Sequence, residues 1–333
     1  MSALEIQRDS LVRRIYDINE KDFEGVAMEL WKYQYTFNPL YRSYCDLLGI
    51  QRDQVSKMAE IPYLPIVMFR EHEIKTGNWT HEKVFRSSGT RGSIQSKHFV
   101  RDVNWYHGIS ERCFRGSFES EADYAWIGLL PSYLERADSS LVDMVHHFME
   151  RSQHADNRFF PQIDQVLIAS LASLKHSNYP TILIGVSFAL IDLFERTDVP
   201  VWDNLLVIET GGMKGRGKEM TREELYMQLR QHYEGLRIAS EYGMTELLSQ
   251  AYMTGDYFWC GPTMHVRMRD ISDPLRLIEH GQRGVINIID LANIDTCAFI
   301  ATDDVGISYV DGSFEVLGRL DNSDLRGCNL LYA

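Results

Sequence analysis

The sequence lacks the features of an exported or membrane-spanning protein. Its first residues, Met1 to Asp9, carry charges where a secretory signal needs an uninterrupted apolar region. The longest uncharged apolar stretch, Tyr179 to Ile191, contains a proline and a glycine and is shorter than the roughly 20 residues of a membrane-spanning helix. We therefore expect a cytoplasmic protein with no membrane span.

Basic residues and paired cysteines are also scarce. Lys and Arg number 34 against 47 Asp and Glu, and the resulting net charge of −13 opposes the counterion release that holds proteins on nucleic acid. We therefore expect no nucleic-acid partner, although a few donors in a cleft can still bind a small anion such as a nucleotide. The five cysteines are scattered and form no Cys-x-x-Cys pair, which argues against a disulfide framework and a structural zinc site.

Hydrophobic residues make up 44% of the chain, enough for a sizeable core, and their spacing changes along it. In 1–60 they recur at spacings of three and four, which is typical of amphipathic helices, with a break at Asn38-Pro39. In 61–260 short apolar runs alternate with helical patterns, which indicates an α/β core. In 261–333 the pattern is β-rich, with a hairpin signal at Asp311-Gly312. We predict an α/β fold with an N-terminal helical segment packed on the core and a smaller C-terminal β-subdomain with a short tail.

The first candidate site segment is Val84 to Ser93, an apolar strand end followed by small hydroxyl residues and two glycines. Glycines allow close backbone approach to a phosphate. Hydroxyls and positive charges suited to phosphate oxygens follow at Ser87, Ser88, Thr90, Arg91 and Lys97. No Gly-Lys-Ser/Thr closes the segment, so it is not a Walker loop. For an isolated match, an ordinary Ser/Gly turn is the favoured interpretation.

A second candidate segment is Ser240 to Glu246, which follows an expected buried strand. A hydroxyl and a carboxylate beside a glycine turn suit a site for a phosphate and its magnesium, because ligands of α/β sheets sit at the carboxyl ends of the strands. The alternative is a turn in which Thr245 caps a helix and Glu246 is solvated. These residues alone favour the turn.

The third candidate combines Ala301 to Gly306 with Gly318 to Asp321, both in the β-rich part. Carboxylates there can accept hydrogen bonds from ribose hydroxyls, and Arg319 can donate to ribose or phosphate. Asp-Gly turns between strands have the same composition. None of the three segments, taken alone, therefore distinguishes a binding site from an ordinary turn.

Taken together, the three segments resemble, in order and spacing, the motifs of the adenylate-forming superfamily of acyl- and aryl-CoA synthetases, luciferases and peptide-synthetase adenylation domains. The matched motifs are the phosphate loop at 85–92, the second signature at 242–246, the ribose-binding aspartate segment at 302–306 and the hinge motif at 318–319. Within the superfamily, the chain resembles the LuxE-type acyl-protein synthetases. That narrower resemblance rests on the short length and on segments 130–136, 139–141, 209–216 and 326–331. It covers residue 61 onward, and the N-terminal helices only loosely.

The resemblance implies the fold of the N-terminal domain of adenylate-forming enzymes, with a nucleotide-binding core and without their mobile C-terminal domain. It also implies a two-step reaction with ATP and Mg²⁺. A carboxylic acid, fatty by resemblance, becomes an acyl-adenylate, and a cysteine of the same enzyme then takes the acyl group as a thioester. An acyl-CoA-reductase-like protein would be the partner that receives it.

The resemblance also assigns roles to residues. Those implied to bind ATP at the phosphate loop and second signature are Ser87, Ser88, Gly89, Thr90, Arg91, Gly92, Tyr242 and Gly243. Thr245 would contact the α-phosphate, Glu246 would bind magnesium, and Lys97 would supply catalytic charge. Asp304 and Arg319 match the ribose-binding aspartate and the arginine beyond it. The adenine and acyl-pocket wall would include Gly211, Gly212 and Met213, and the acyl-accepting cysteine would be Cys328.

Three departures from the family pattern concern catalytic charge. Arg91 stands where a threonine is usual, and Ser93 to Lys97 replaces the usual Pro-Lys. The chain also ends at Ala333, soon after Arg319, so the lysine of the mobile C-terminal domain has no counterpart. We expect an internal cation to substitute for it.

Three alternatives stay open at this point. The acyl group could pass to coenzyme A, as in ligases of the phenylacetate-CoA ligase type. The chain could instead be a non-catalytic nucleotide-binding scaffold subunit. Cys328 could be a small packed hydrophobe, as most unpaired cysteines are.

Overall fold

A computed structural model of the protein describes residues 2–88, 94–131, 138–211 and 220–320. The α-helices in these ranges are α1 (Ala3–Tyr16), α2 (Glu20–Phe37), α3 (Pro39–Leu47), α4 (Met68–Glu71), α5 (Val103–Arg115), α6 (Ser140–Ser152), α7 (Gln165–Ser177), α8 (Ser187–Phe194) and α9 (Arg222–Leu229). The strands are β1 (Leu64–Pro65), β2 (Lys83–Arg86), β3 (Lys97–Val100), β4 (Ala125–Leu129), β5 (Arg158–Phe160), β6 (Thr181–Gly185), β7 (Leu205–Glu209), β8 (Arg237–Tyr242), β9 (Ala251–Met253), β10 (Phe258–Cys260), β11 (Met264–Arg269), β12 (Arg283–Asp290), β13 (Phe299–Ser308) and β14 (Phe314–Arg319). Within the described ranges, none of the helices has the length and apolar character needed to span a membrane.

The chain divides into two compact units. Unit 1 comprises Met1–Ile109, Thr245–Ser249 and Trp259–Ala333, and unit 2 comprises Ser110–Met244 and Gln250–Phe258. Each unit is therefore assembled from stretches that lie apart in the sequence. The predicted division into 1–60, 61–260 and 261–333 stays a prediction.

The N-terminal helices of unit 1 begin and end at capping side chains. The side-chain oxygen of Asn19 accepts hydrogen bonds from the first N–H groups of α2. The helix ends at Phe37 because a residue before proline is disfavoured in the helical conformation, and Asn38 then caps α3 by accepting from the Tyr41 N–H at 3.0 Å. One face of α2 is buried through Phe23, Val26, Ala27, Leu30 and Trp31. The predicted amphipathic helices and their break are confirmed.

Antiparallel strands form the sheet of unit 1 in the order β11–β12–β13–β14, and β1 lies parallel to β13. The turn between β13 and β14 contains Gly312 at a φ of +88°, a conformation that favours glycine. Asp304 lies directly opposite Arg319 in this hairpin. The β-rich pattern predicted after residue 261 is confirmed for the described part of that region, 261–320. Separately, β2 and β3 form an antiparallel pair in which Phe85 lies opposite His98.

Unit 2 is built on parallel strands in the order β5–β4–β6–β7–β8, with β9 antiparallel to β8. Every residue of β4, β6 and β7 is buried, as expected for parallel strands covered on both faces. Leu171 of α7 and Leu190 of α8 belong to the same core as these strands. The carboxyl ends of β6, β7 and β8 meet at one edge, where ligands of α/β sheets bind.

Candidate active site

The predicted phosphate loop is described at its first residues. The Ser87 N–H donates to the Ser96 carbonyl at 3.1 Å, and the Ser96 N–H donates to Ser87 Oγ at 3.0 Å. Ser88 is exposed. The remaining loop residues lie outside the described residues: Gly89, Thr90, Arg91 and Gly92. The structure therefore joins Ser87 to Ser96 beyond the end of the β2–β3 pair.

Glu246 lies in unit 1 and is only 5% exposed. Burial raises the pKa of its carboxyl because the charged form loses its hydration. The Ser96 hydroxyl donates to this carboxyl, and the positive charges of Arg70 and Arg319 also favour its ionised form. Glu246 is thus connected through Ser96 to Ser87.

Asp304 and Arg319 form an ion pair across β13 and β14. Arg319 Nε donates to Asp304 Oδ1 at 3.2 Å. Asp304 is buried, whereas the Arg319 side chain is 76% exposed. Because Arg319 also acts on the Glu246 carboxyl, unit 1 brings together four predicted site residues: Ser87, Glu246, Asp304 and Arg319. Their roles in binding ATP stay predictions.

Two residues near Glu246 were missed from the sequence. Ser96 lies in the segment that departs from the usual Pro-Lys of the family, and its position shortly after the loop was its one sequence signal. Arg70 belongs to α4, far from every motif in the sequence. Both lower the pKa of the Glu246 carboxyl and oppose the effect of burial. The charge of this acid therefore depends on residues that belong to no sequence motif.

Lys97 and Thr245 are placed differently with respect to the buried carboxyl. Lys97 is exposed at the start of β3, while its neighbour His98 is buried, and successive side chains of a strand point to opposite faces. The structure therefore does not direct Lys97 toward Glu246. Thr245 is half-buried and directly precedes Glu246. The catalytic roles of Lys97 and Thr245 stay predictions.

In unit 2, a buried carboxylate holds the turn at Gly211. Gly211 has a φ of +72°, and its N–H donates to Glu209 Oε2 at 2.8 Å. The same carboxylate accepts from the hydroxyls of Ser187 at 2.9 Å and Ser240 at 2.6 Å. This network joins three neighbouring parallel strands near their carboxyl ends, and no sequence motif indicates it. The role predicted for Gly211 stays a prediction.

Tyr242 and Gly243 belong to unit 2 and flank the end of β8. Tyr242 is buried, with its ring centroid 5.9 Å from that of Phe258. A Cβ atom on Gly243 would collide with the Glu241 carboxyl, so this side chain lies close over the glycine. Burial raises the pKa of Glu241 to about 8, and the negative charge of Glu209 contributes in the same direction. This shift favours the protonated form of Glu241 at neutral pH.

In addition to the four loop residues, three further predicted site residues lie outside the described residues: Gly212, Met213 and Cys328. Of the described cysteines, Cys45, Cys113 and Cys297 are buried and Cys260 is partly exposed. Burial raises the pKa of the Cys45 thiol to about 12 and also raises that of Cys297. Because the thiolate is the nucleophilic form, these two thiols are poorly suited to accept an acyl group.

A single carboxylate such as Glu246 is compatible with a magnesium ion that is bound together with phosphates. Such ions take one or two carboxylates and complete their coordination with phosphate oxygens and water. In the part of the chain that the structure describes, no group of three or more His, Cys, Asp and Glu residues could hold a metal by itself. Arg70 and Arg319 favour the ionised form of Glu246, which is the form in which a carboxylate binds a metal ion. The role of Glu246 as a magnesium ligand stays a prediction.

Two curated relatives are similar to the chain over most of their length. The long-chain-fatty-acid–luciferin-component ligase of Vibrio harveyi is 21% identical, over 90% of this chain and 84% of the relative. The protein of the same name from Aliivibrio fischeri is 23% identical, over 93% of this chain and 87% of the relative. No family model matches the sequence. These relatives confirm the predicted resemblance to LuxE-type synthetases.

Solved structures with a similar fold are adenylate-forming enzymes. A 2-hydroxyisobutyryl-CoA ligase in complex with 2-HIB-AMP and CoA has a TM-score of 0.66 and 15% identity, over 93% of this chain and 71% of that chain. ATP-bound MatB from Rhodopseudomonas palustris has a TM-score of 0.52 and 15% identity, over 71% of this chain and 47% of that chain. The predicted fold class is confirmed: the chain has the α/β fold of adenylate-forming ligases. The absence of the mobile C-terminal domain stays a prediction.

Proposed function

We propose that the chain is an ATP-dependent acid ligase that activates a carboxylic acid as its acyl-adenylate. The observation that carries this proposal is the connection in unit 1 from Ser87 through Ser96 to Glu246, beside the Asp304–Arg319 pair. Hydroxyls and guanidinium groups suit phosphate oxygens, and a carboxylate suits ribose hydroxyls. The names of the two relatives support a long-chain fatty acid as the substrate.

In the first step, a carboxylate oxygen of the acid attacks the α-phosphorus of ATP. A bond forms between these two atoms, the bond from the α-phosphorus to the bridging oxygen breaks, and pyrophosphate leaves. Both reactants are anions, so fixed positive charge lowers the barrier. Arg70 and Arg319 supply such charge near Glu246, and Thr245 is the residue we assign to the α-phosphate.

Glu246 is the residue that would hold Mg²⁺, which supplies Lewis-acid stabilisation of phosphate charge when it is bound. The Ser96 hydroxyl orients the Glu246 carboxylate by donating a hydrogen bond to it. Asp304 accepts from the ribose hydroxyls, and Arg319 fixes the Asp304 carboxylate through its Nε donor. These residues thereby orient the nucleotide for attack by the acid.

In the second step, the thiol sulfur of Cys328 attacks the acyl carbon. The carbon–sulfur bond forms, the bond from the acyl carbon to the AMP oxygen breaks, AMP leaves, and the thiol proton passes to solvent. The family resemblance supports Cys328, as does the burial that keeps Cys45 and Cys297 protonated. A thioester keeps the acyl carbon reactive, which suits delivery to a reductase-like partner in the cytoplasm.

Acid-dependent exchange of labelled pyrophosphate into ATP tests the first step. We expect exchange with a long-chain fatty acid and Mg²⁺, and a loss of roughly 100-fold in Glu246→Gln, because the amide keeps the shape of the side chain but carries no charge. Glu279→Gln is the matched control, since Glu279 is an exposed acid of unit 1. If no fatty or aryl acid supports exchange, the ligase assignment is wrong and the nucleotide-binding scaffold is favoured.

Mass spectrometry of the protein after incubation with ATP, Mg²⁺ and the acid tests the second step. We expect an acyl adduct that disappears in Cys328→Ser and persists in Cys260→Ser, the control at a partly exposed cysteine. Formation of acyl-CoA from added coenzyme A, with the protein unmodified, would contradict the thioester step. That outcome would favour a ligase of the phenylacetate-CoA ligase type.

A further inference from the structure

The two peptide groups that flank Glu246 are both held by buried side chains of unit 1. His98 Nδ1 donates to the Thr245 carbonyl at 2.8 Å. Asn293 Nδ2 donates to the Glu246 carbonyl at 2.8 Å. His98 is 1% exposed and Asn293 is fully buried, so both donor side chains are shielded from water.

The end of the same segment is held by a third side chain. The Asp290 carboxylate accepts from the Leu248 N–H at 2.8 Å and from the Ser249 N–H at 3.0 Å. It also accepts from the Ser249 hydroxyl at 2.5 Å. The whole segment Thr245–Ser249 is therefore fixed by β3, by the end of β12 and by the residues that follow β12.

The contacts of His98 define a single tautomer. A carbonyl oxygen can only accept, so Nδ1 carries the proton that is donated to Thr245. Nε2 is then unprotonated and accepts from the Thr296 hydroxyl at 3.2 Å. Burial lowers the pKa of His98 to about 4, which keeps this neutral form at physiological pH.

The N-terminal helices support the residues that hold Glu246. Gln34 of α2 donates to the Asn293 carbonyl at 2.9 Å and accepts from the Ala298 N–H at 2.9 Å. Asn38 donates to the Thr296 carbonyl at 3.0 Å. The segment that carries Asn293 and Thr296 is thus fixed from its other side.

From these contacts we infer that His98 and Asn293 are positioning residues for the acid at 246. A peptide group is planar, so fixing the carbonyls of Thr245 and Glu246 fixes the two planes that meet at the Glu246 Cα. Those planes set the direction of the Cα–Cβ bond, and the hydrogen bond from the Ser96 hydroxyl then restrains the carboxylate at the end of the side chain. The inference rests on the proposed function, in which Glu246 binds Mg²⁺ together with ATP. His98 and Asn293 would orient Glu246 for that role.

Three variants test the two hydrogen bonds. His98→Leu removes the donor to Thr245, whereas His98→Asn keeps an N–H donor near the position of Nδ1. Asn293→Leu removes the donor to Glu246 at similar volume. The measurements are kcat for pyrophosphate exchange, the Mg²⁺ concentration for half-maximal exchange, and the rise in Tm that ATP with Mg²⁺ causes over ATP with chelator.

We expect His98→Leu and Asn293→Leu each to lower kcat about 10-fold and to raise the half-maximal Mg²⁺ concentration severalfold, because one buried carbonyl loses its donor. His98→Asn should recover most of both losses. The rise in Tm caused by Mg²⁺ should shrink in the two leucine variants and return in His98→Asn.

A purely structural role predicts another pattern. Lower Tm values with an unchanged half-maximal Mg²⁺ concentration and an unchanged Mg²⁺-dependent rise in Tm would overturn the inference, as would equal losses in His98→Asn and His98→Leu. If His98→Leu does not fold, Asn293→Leu carries the same test. If the wild-type protein shows no exchange, the proposed function fails, and the Mg²⁺-dependent rise in Tm still decides the positioning role.

Discussion

Single residues in this protein show how burial and partners together set the charge of an acid. Burial raises the pKa of both Glu246 and Glu241. At Glu246 the Ser96 hydroxyl and two arginine charges oppose that rise. At Glu241 the negative charge of Glu209 adds to it, and the pKa reaches about 8. The two acids are five residues apart, yet neighbouring groups favour the ionised form of Glu246 and oppose the ionised form of Glu241.

Replacing Glu241 by Gln should make the protein more stable at alkaline pH. The pKa of this carboxyl is about 8 in the folded protein against an ordinary value of 4.5, so the folded state binds the proton more tightly. Stability therefore falls as pH rises from 4.5 to about 8. A neutral amide removes this fall, so we expect the variant to exceed the wild type by at least about 1 kcal/mol at alkaline pH.

Urea unfolding at pH 4.5 and above pH 8 measures this difference. The two proteins should have similar unfolding free energies at the lower pH and diverge at the higher one. Glu234→Gln is the matched control, because Glu234 is an exposed acid of the same unit. Parallel pH profiles for Glu241→Gln and the wild type would show that Glu241 is ionised in the folded protein.

At the scale of helices and strands, local patterns were sufficient to predict several of the elements. The break at Asn38-Pro39 follows from the backbone restriction that proline imposes, and the turn at Asp311-Gly312 needs the positive φ that glycine allows. Apolar runs indicated the buried strands β4, β6 and β7. Each of these signals lies within a few residues of the feature it predicts.

The contacts that shape the candidate site were not predictable in this way. Ser96 and Glu246 lie far apart in the sequence, and only the fold brings the hydroxyl to the carboxyl. The phase of β3 decides that His98 is buried and Lys97 exposed, and a four-residue strand gives too short a pattern to fix that phase. Motifs therefore located the segments, while tertiary packing decided which side chains meet.

At the scale of the whole molecule, ion pairs in unit 1 join residues that lie almost the full length of the chain apart in the sequence. Arg8 of α1 donates to both carboxylate oxygens of Asp295 at 2.6 Å. Arg101 also pairs with Asp295 at 3.4 Å and with Glu5 at 3.1 Å. The side chains of Arg8 and Asp295 are 13% and 10% exposed. One buried carboxylate thus joins the first helix to the segment that carries Asn293.

Asp295→Asn should destabilise the protein by about 2 to 4 kcal/mol, because two partly buried guanidinium groups lose their shared carboxylate. Glu29→Gln is the matched control: Glu29 pairs with Arg14 between α1 and α2, but these side chains are 54% and 43% exposed, and such pairs contribute about 0.5 kcal/mol or less. Unfolding by urea measures both, since an uncharged denaturant does not screen ion pairs. Equal losses in the two variants would mean that the carboxylate at 295 does not hold α1 in place.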